Sequence, residues 1–374
     1  MILSCAAGLF LVLAILLEAF ETIVLPRRVS RRLRITVLFY RVTWRPWRAL
    51  ARLMRRKKLR ESFLGYYGPL SLLLLFVFWA TLLVIGFGLI FSSASYSDPT
   101  HPRFQTCLYL SGTTFFTLGI GDVTPHTQLE RVMIVVESGL GFGFLALMLS
   151  YLPVIYQAFS RREVNIVMLD ARAGSPPTAA ELLRRHSGPG ELDALEVLFR
   201  EWEHWSAEIL ESHISYPVVS YFRSQHNNES WLGALTAILD ATALILTDGS
   251  SPCQRQAKLT FAMCRHTVVD LAQIFYAAPR NTGPNRLPPE DLQRMRKQLK
   301  DAGLGFLDTP ESNAKLEKLR QMYEPYLNAL AAHLYVELPP WILAKEAADN
   351  WRTSAWGRIS GFSPSEKTSS ADDH

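Results

Sequence analysis

The residues best suited to chemistry in this sequence lie in one short stretch, Thr113–Asp122, where hydroxyl side chains, two glycines and a single acid follow one another. No nucleophile and base accompany them, so the stretch does not look catalytic. Glycine adopts positive φ at little cost, and glycines at alternate positions let successive peptide units turn their oxygens in the same direction. A wall of such carbonyl oxygens can replace the water around a cation.

The carbonyl wall would come from five consecutive residues, named here the TLGIG segment: Thr117, Leu118, Gly119, Ile120 and Gly121. The hydroxyl group of Thr117 could add one more oxygen at the inner end. Asp122 would lie at the mouth, where a ring of carboxylates from several subunits would concentrate cations. The TLGIG segment is the predicted ion-binding site, Asp122 is the predicted pore mouth, and no other metal site is expected.

The string Thr117-Leu118-Gly119-Ile120-Gly121-Asp122 resembles the T-x-G-Y-G-D selectivity filter of tetrameric potassium channels. The apolar runs on either side, Leu70–Phe91 and Val132–Phe159, are similar to the two helices of that family's pore module. The resemblance extends over roughly Gly68–Phe159. It implies a passive potassium channel subunit, not an enzyme, that assembles as a homotetramer. It also implies K⁺ as the transported ion, and we expect no cofactor.

Two residues depart from the pattern of that family. Ile120 stands where a tyrosine is usual, and Leu118 replaces the usual valine. In the family the tyrosine ring braces the filter through a hydrogen bond that isoleucine cannot make, so we expect looser discrimination of potassium from sodium. Two alternatives therefore remain: a non-selective cation channel, or a membrane-anchored sensor or scaffold whose pore is silent.

Long apolar runs must position this stretch. The chain has 374 residues with a formal charge of +5, and its membrane-length apolar runs lie in the first 160 residues. Ile2–Val24, Leu70–Phe91 and Val132–Phe159 each reach the roughly 20 residues that a spanning helix needs. Phe104–Phe116 is too short to span and is expected to form a re-entrant helix that ends at the TLGIG segment. We predict an all-α membrane protein.

The segment Arg27–Arg60 is strongly basic, which places it in the cytoplasm and the N-terminus outside. The protein is thus expected in the plasma or inner membrane as a multi-pass protein. Trp44, Trp47, Leu50 and Met54 recur at near-helical spacing among the arginines, which indicates an interfacial helix against anionic lipid headgroups. The expected partners are the lipid bilayer, anionic lipid at this segment and further copies of the chain, with no nucleic acid.

The predicted pore-lining helix carries candidates for gating. Gly139, Gly141 and Gly143 weaken its middle. The resemblance to potassium channels, in which a glycine at this depth acts as a gating hinge, implies a hinge here, with Gly141 favoured by its distance from the filter; the alternative is that the glycines let helices pack. Pro153 is expected to kink the helix near its inner end. Glu137 is the one acid inside this span, and we expect it to brace the filter from behind by hydrogen bonding, with a role facing the cavity as the alternative.

The whole chain divides as follows: 1–25, N-terminal transmembrane helix; 26–66, basic cytoplasmic or interfacial segment; 67–160, pore module; 161–190, linker; 191–345, helical cytosolic domain; 346–374, a largely disordered tail. Within the linker, Val164–Leu169 is predicted to form a brief strand, and Thr178 is predicted to cap the helix that follows. In the cytosolic domain, a single helix is expected over Ser312–Tyr335.

Two His–acid pairs at four-residue spacing, His204 with Glu208 and His266 with Asp270, share helix faces in the cytosolic domain. A metal site is one interpretation, and a solvated face is the simpler one. No dinucleotide-binding fingerprint or P-loop follows a strand. The sequence therefore predicts an all-α module for this domain without identifying its ligand.

Overall fold

A computed structural model describes residues 2–25, 34–94, 104–125, 127–188, 191–225, 228–248, 252–281 and 283–344. Within these ranges the secondary structure is helical and contains no strand. The chain forms two compact units, one of residues 1–159 with 215–223 and the other of residues 160–214 with 224–374. The basic residues Arg27–Arg32 and the tail 346–374 lie outside the described residues.

The helices of the first unit are α1 (Ile2–Ala19), α2 (Ile35–Leu53), α3 (Lys57–Ala94), α4 (Phe104–Phe115) and α5 (Gln128–Ala173). Helix α1 continues as a π-helix (Phe20–Val24), and only the part of α5 up to Phe159 belongs to this unit. A short 3-10 helix, Pro217–Tyr221, also belongs to it. Ile2–Val24, Lys57–Ser93 and Gln128–Ala173 are long and apolar enough to cross a membrane. All three contain runs that the sequence predicts to span.

Glycines bring α1 and α3 into close contact. A Cβ atom added to Gly8 would lie 2.5 Å from the carbonyl oxygen of Gly86, and one added to Gly86 would lie 2.7 Å from Cγ2 of Val12. On the same helix, a Cβ at Gly88 would lie 3.2 Å from the Cα atom of Leu108 in α4. Gly86 and Gly88 of α3 thus allow close approach to α1 and α4, as small residues do in membrane bundles.

Glu18 fixes the start of α2. Its side chain is fully buried in α1, and its Oε1 atom accepts a hydrogen bond of 2.9 Å from the backbone N–H of Thr36. This bond satisfies one of the amide groups that the first turn of a helix leaves unpaired. Arg34 lies 3.8 Å from the same carboxylate. The acid near the end of the first apolar run therefore positions the basic helix.

Helix α5 is longer than the sequence predicts. A capping box begins it, because Glu130 N–H donates to Thr127 Oγ1 at 3.2 Å and Thr127 N–H donates to Glu130 Oε2 at 3.0 Å. The helix then continues through Pro153 to Ala173. The predicted strand at Val164–Leu169 is therefore wrong: helix already formed upstream extends at the gain of one hydrogen bond per residue, and this outweighs the weak preference of a short β-branched run.

The stretch 161–190, predicted to be a linker, is mostly helical. Its first part continues α5, and α6 (Ala179–Arg185) follows after a turn. Thr178 caps α6, with its Oγ1 atom accepting from Glu181 N–H at 3.2 Å, as predicted. Because Ala179, Ala180, Leu182 and Leu183 are buried, this stretch belongs to the core of the second unit.

The second unit is built around one buried helix. Its helices are α7 (Glu191–Ser215, whose last residue lies in the first unit), α8 (Trp231–Thr247), α9 (Gln254–Ile274), α10 (Pro289–Asp301), α11 (Pro310–Gln321) and α12 (Glu324–Leu334). Helix α8 is buried over its whole length, with α6, α9, α11 and α12 packed against it. An apolar helix that is covered on all sides needs no membrane to hide its surface.

The predicted single helix Ser312–Tyr335 is two helices. Helix α11 ends at Gln321, Met322 and Tyr323 form a turn, and α12 begins at Glu324. Pro325 has no N–H to donate to an earlier turn, which explains why it occupies the first turn of a new helix. The break also places Tyr323 in the core, where it is fully buried.

Ion pairs lie inside the second unit. The Arg286 guanidinium makes two bonds of 2.8 Å to the Asp240 carboxylate in α8, and Glu324 Oε1 lies 3.1 Å away. Tyr323 donates its hydroxyl proton to Asp240 Oδ1 at 2.6 Å. Burial opposes the charge on Arg286, but the Asp240 carboxylate outweighs burial and raises the pKa of Arg286 above its ordinary value. This network connects α8 to the C-terminal helices.

Candidate functional site

Helix α4 ends in a turn that leads directly into the TLGIG segment. Leu118 N–H donates to the carbonyl of Thr113 at 2.8 Å, and Thr117 N–H donates to that of Thr114 at 3.0 Å. This pair of bonds defines a Schellman cap, in which the residue after the helix takes positive φ. Here that residue is Thr117, with φ 54°. A β-branched residue is strained in this conformation, and such strain is often found at functional sites.

The sign of φ alternates along the TLGIG segment. Thr117, Gly119 and Gly121 have φ of 54°, 57° and 81°, whereas Leu118 and Ile120 between them are not in the positive-φ region. A backbone in which positive φ recurs at every second residue can turn successive carbonyl groups toward one side of the chain. The sequence predicts this geometry for the two glycines, and the structure extends it to Thr117. The five predicted residues thus form one continuous strip.

The TLGIG segment is exposed in the single chain. Leu118 and Ile120 are 63 % and 59 % exposed, and no atom beyond its own chain neighbours lies within 4 Å of a Cβ built on Gly119. Asp122 is exposed as well, and its Oδ1 atom accepts from Val123 N–H at 3.0 Å. A strip of backbone with this exposure can exist at membrane depth only if a water-filled path or further protein satisfies it.

A hydrogen bond joins Glu137 to α4, the helix that ends at the TLGIG segment. Ser111 Oγ lies 2.5 Å from Glu137 Oε1 and 2.9 Å from the carbonyl oxygen of Val84, and Glu137 and Ser111 are both fully buried. Ser111 Oγ is the donor toward both oxygens, so its one proton is shared between the Glu137 carboxylate and the Val84 carbonyl group. Three helices, α3, α4 and α5, therefore meet at Ser111.

Two residues near the site were not singled out from the sequence. Ser111 is the partner of Glu137, and the Tyr109 hydroxyl interacts with the Asp122 carboxylate. Both lie on α4, two residues apart. The signal in the sequence was only their polar character within a semi-apolar helix, which does not reveal which neighbour each would contact.

The three glycines of α5 have different surroundings. A Cβ atom on Gly141 would lie 2.1 Å from the carbonyl oxygen of Phe115, whereas one on Gly139 or Gly143 would meet nothing within 4 Å. Gly141 therefore has a packing reason to be glycine, because α5 passes the end of α4 at that point. A hinge at these residues stays a prediction, and the open space favours Gly139 and Gly143 for it.

Helix α2, which the sequence predicts to be interfacial, packs two of its tryptophans on protein. Trp44 is buried, with its ring centroid 4.6 Å from that of Tyr67, and Trp47 stacks on Phe63 at 4.3 Å. Trp44 and Trp47 therefore contact protein, and the contact of α2 with anionic headgroups stays a prediction. The exposed apolar side chains on α2 are Leu38, Val42, Leu50 and Leu53.

Of the two His–acid pairs in the second unit, His204 and Glu208 are exposed, whereas Asp270 of the other pair is only 13 % exposed. His204 Nε2 is 3.9 Å from Glu208 Oε1, and His266 Nε2 is 3.7 Å from Asp270 Oδ2. His213, near His204 in sequence, is instead fully buried with its ring centroid 4.9 Å from that of Trp231. Burial, with a smaller effect of Arg162, lowers the pKa of His213 well below its ordinary value. Within the described residues, no cluster of three metal-binding side chains occurs.

Comparison with known proteins gives two matches. Residues 73–157 match the protein family described as "Ion channel". The uncharacterized membrane protein YdjJ of Bacillus subtilis (strain 168) is 22 % identical over 242 residues, which cover 63 % of this chain and 69 % of that protein. No solved structure matches.

The family match begins in α3 and ends in α5, so it contains α4, the TLGIG segment and Glu137. Together with the three membrane-length helices and the membrane-protein relative, it indicates a membrane protein with an ion-channel domain at residues 73–157. The match specifies neither the transported ion nor the number of subunits.

Proposed function

We propose that this protein is a passive, potassium-type cation channel that works as a homotetramer. One observation carries the proposal: φ is positive at Thr117, Gly119 and Gly121 in an exposed strip that follows directly on α4. This backbone is suited to five layers of oxygen atoms facing one side. Ions would bind between the layers, and the carbonyl groups would replace the water that the ion loses.

The exposure of the strip supports assembly around a shared axis. A single TLGIG segment can cover a cation on one side only, and a cage of carbonyl oxygens needs all sides. On α5 the apolar side chains of Val135, Phe142 and Leu149 are 72 %, 70 % and 72 % exposed. Neighbouring subunits and lipid would cover these side chains. Four copies related by rotation form a closed arrangement without free interfaces.

Electrostatics favour a cation along this path. The C-terminal end of α4 points into the TLGIG segment and carries partial negative charge on its last carbonyl groups. Asp122 would add one carboxylate per subunit at the outer mouth. Transport would follow the ion gradient, since no site for an energy-supplying nucleotide is visible in the sequence.

Recordings from purified protein in planar bilayers test the proposal. In mixed potassium and sodium solutions we expect cation currents whose reversal potential lies between the two equilibrium potentials, closer to that of potassium. Equal permeability to both ions would favour a non-selective cation channel. Absence of any current from purified oligomers would favour a membrane-anchored sensor or scaffold with a silent pore.

Replacement of Ile120 by tyrosine should sharpen selectivity. Isoleucine has no hydrogen-bonding group, so the TLGIG segment lacks the brace that a tyrosine hydroxyl can make. A net gain of ~1 kcal/mol from one hydrogen bond corresponds to a potassium-to-sodium permeability ratio roughly fivefold higher. Bi-ionic reversal potentials of the parent and Ile120→Tyr measure this ratio. Near-perfect sodium exclusion by the parent would contradict the prediction, and Ile120→Leu serves as the control without a hydroxyl group.

Glu137 is proposed to hold the TLGIG segment from behind through Ser111. In Glu137→Gln the side-chain amide oxygen can still accept from Ser111 Oγ, so ion flux should stay close to that of the parent. Glu137→Ala removes the bond in every subunit, and a loss of ~1.5 kcal/mol or more corresponds to at least about tenfold lower flux. Thallium flux into liposomes measures both variants.

The control for Glu137 is Thr81→Ala, which removes an exposed hydroxyl group that donates only to Val77 O on its own helix, at 2.7 Å. Because Ser111 and Glu137 form one bond, Ser111→Ala should add little to Glu137→Ala. Equal flux in Glu137→Ala and the parent would contradict a role of Glu137 in supporting the TLGIG segment.

The partner proposed for α2 is anionic lipid of the cytoplasmic leaflet. Arg41, Arg45 and Arg52 are exposed on this helix, beside the exposed apolar side chains Leu38 and Val42. A helix with this arrangement inserts its apolar side among acyl chains and keeps its arginines among headgroups. Channel activity should rise when phosphatidylglycerol is added to neutral liposomes. An equal response of an Arg41→Gln/Arg45→Gln variant would argue against α2 as the site.

A further inference from the structure

The segment Ser215–Arg223, named here the return segment, lies in the first unit although the residues on both sides of it belong to the second. It contains the 3-10 helix Pro217–Tyr221, in which Val218, Val219 and Tyr221 are buried. Nothing in the sequence pattern singles it out. The chain thus leaves the second unit after Ile214, packs within the first, and continues in the second from Ser224.

The return segment packs against residues 151–159 of α5. Tyr216 lies 5.6 Å from Tyr151 between ring centroids, and Phe222 lies 6.1 Å from Tyr156 and 5.6 Å from Phe159. Val218, Val219 and Phe222 form a buried apolar cluster with Ile155. Apolar contacts therefore join the return segment to the helix that continues from the TLGIG segment.

The same segment contacts α2 and α3 on its other side. The Tyr221 ring lies 5.0 Å from Trp44 and 5.3 Å from Tyr67 between centroids. Arg223 Nη1 lies 3.7 Å from Glu61 Oε2. Aromatic pairs of this kind stabilise a packed interface beyond the area that they bury.

Gly68 in α3 shows how tight this packing is. A Cβ atom added there would lie 2.6 Å from Cδ2 of Phe222, closer than any such atom can approach without displacing the ring. A Cβ atom on Gly65, one turn earlier on the same helix, would lie 3.9 Å from Cβ of Arg223, an ordinary contact. The two glycines therefore form a matched pair, one sensitive and one insensitive to substitution by alanine.

We propose that the return segment is a coupling element. It sets the position of residues 151–159 of α5 and so links the state of the second unit to channel opening. The effect on channel opening rests on the proposed channel function, whereas the positioning of α5 rests on the packing alone. Since residues 214 and 224 continue directly into the second unit, any rearrangement there acts on the return segment through the peptide chain itself.

Three variants of the full-length chain test the coupling. Gly68→Ala pushes the Phe222 ring away, and Phe222→Ala removes it. The double variant should behave like Phe222→Ala, because the ring that the added methyl group would displace is gone. Gly65→Ala is the matched control. Phe222→Leu retains apolar area and replaces Phe222→Ala if that variant does not fold.

Hydrogen exchange in the purified protein is the first measurement, since it does not depend on conduction. Amides of residues 151–159 should exchange at least about fivefold faster in Gly68→Ala and Phe222→Ala than in the parent and in Gly65→Ala. Exchange in this range that is unchanged in both variants would overturn the proposal.

Single-channel recording is the second measurement. Open probability should change at least about fivefold in both variants, while unitary conductance and the reversal potential stay as in the parent, because the TLGIG segment is not altered. If the parent conducts and open probability is unchanged, the coupling is wrong and the channel function stands. If the parent does not conduct, the channel function is wrong, and hydrogen exchange alone decides whether the return segment positions α5.

Discussion

Gly119→Ala is expected to abolish ion flux while the oligomer still assembles. Gly119 has φ 57°, and an alanine in this left-handed conformation costs roughly 1–2 kcal/mol. In a tetramer the cost would arise four times around one axis. The backbone would relax toward negative φ and turn a ring of carbonyl oxygens away from the ion path, so thallium flux into liposomes should fall at least about 100-fold.

The expected loss comes from backbone conformation and not from crowding, because a Cβ atom at Gly119 meets nothing within 4 Å in the chain. Gly112→Ala is the matched control. Gly112 lies in α4, and a Cβ atom there would have only an ordinary contact of 3.9 Å with Val84. The control should conduct like the parent. Parental flux in Gly119→Ala, with intact oligomers on size-exclusion chromatography, would refute the role of the TLGIG segment.

Asp240→Ala is expected to destabilise the second unit by about 3 kcal/mol. The substitution leaves Arg286, whose side chain is 6 % exposed, without its bidentate partner, and it removes the acceptor of the buried Tyr323 hydroxyl. Breaking a buried pair from one side costs ~3–5 kcal/mol. The lower end applies because Arg286 retains Glu324 and the carbonyl oxygen of Pro339.

Thermal unfolding followed by tryptophan fluorescence measures this loss, which corresponds to a midpoint lower by roughly 6–12 °C for a unit of this size. Glu201→Ala is the control, because its ion pair with Arg172 is exposed on both sides and should be worth less than ~1 kcal/mol. Equal shifts in the two variants would show that the Asp240 network contributes no more than a surface pair.

Local signals in the sequence predicted the features that depend on near neighbours. Three apolar runs became helices long enough to span a membrane, and Thr178 became the cap of α6. The alternation of Gly119 and Gly121 predicted the positive φ values because glycine is the residue that adopts them most cheaply. The local preference of Val164–Leu169 for a strand gave a wrong prediction, because α5 extends through these residues.

Contacts between residues distant in sequence could not be predicted from these signals. That Glu137 meets Ser111, that Trp44 and Trp47 face protein, and that Asp240 pairs with Arg286 depend on how helices rotate and cross. The periodicity of a helix shows which residues share a face but not what covers that face.

The sequence by itself determined the membrane-length helices and the glycine pattern of the TLGIG segment, because chain length, hydrophobicity and backbone freedom are properties of residues taken locally. Only the tertiary structure decided that Ser215–Arg223 packs beside α5 and that Thr117 shares the positive φ of the glycines. The packing of Ser215–Arg223 depends on the free energy of many neighbours, and that sum exceeds the preference of any single residue. The φ of Thr117 depends on the backbone hydrogen bonds that close the end of α4.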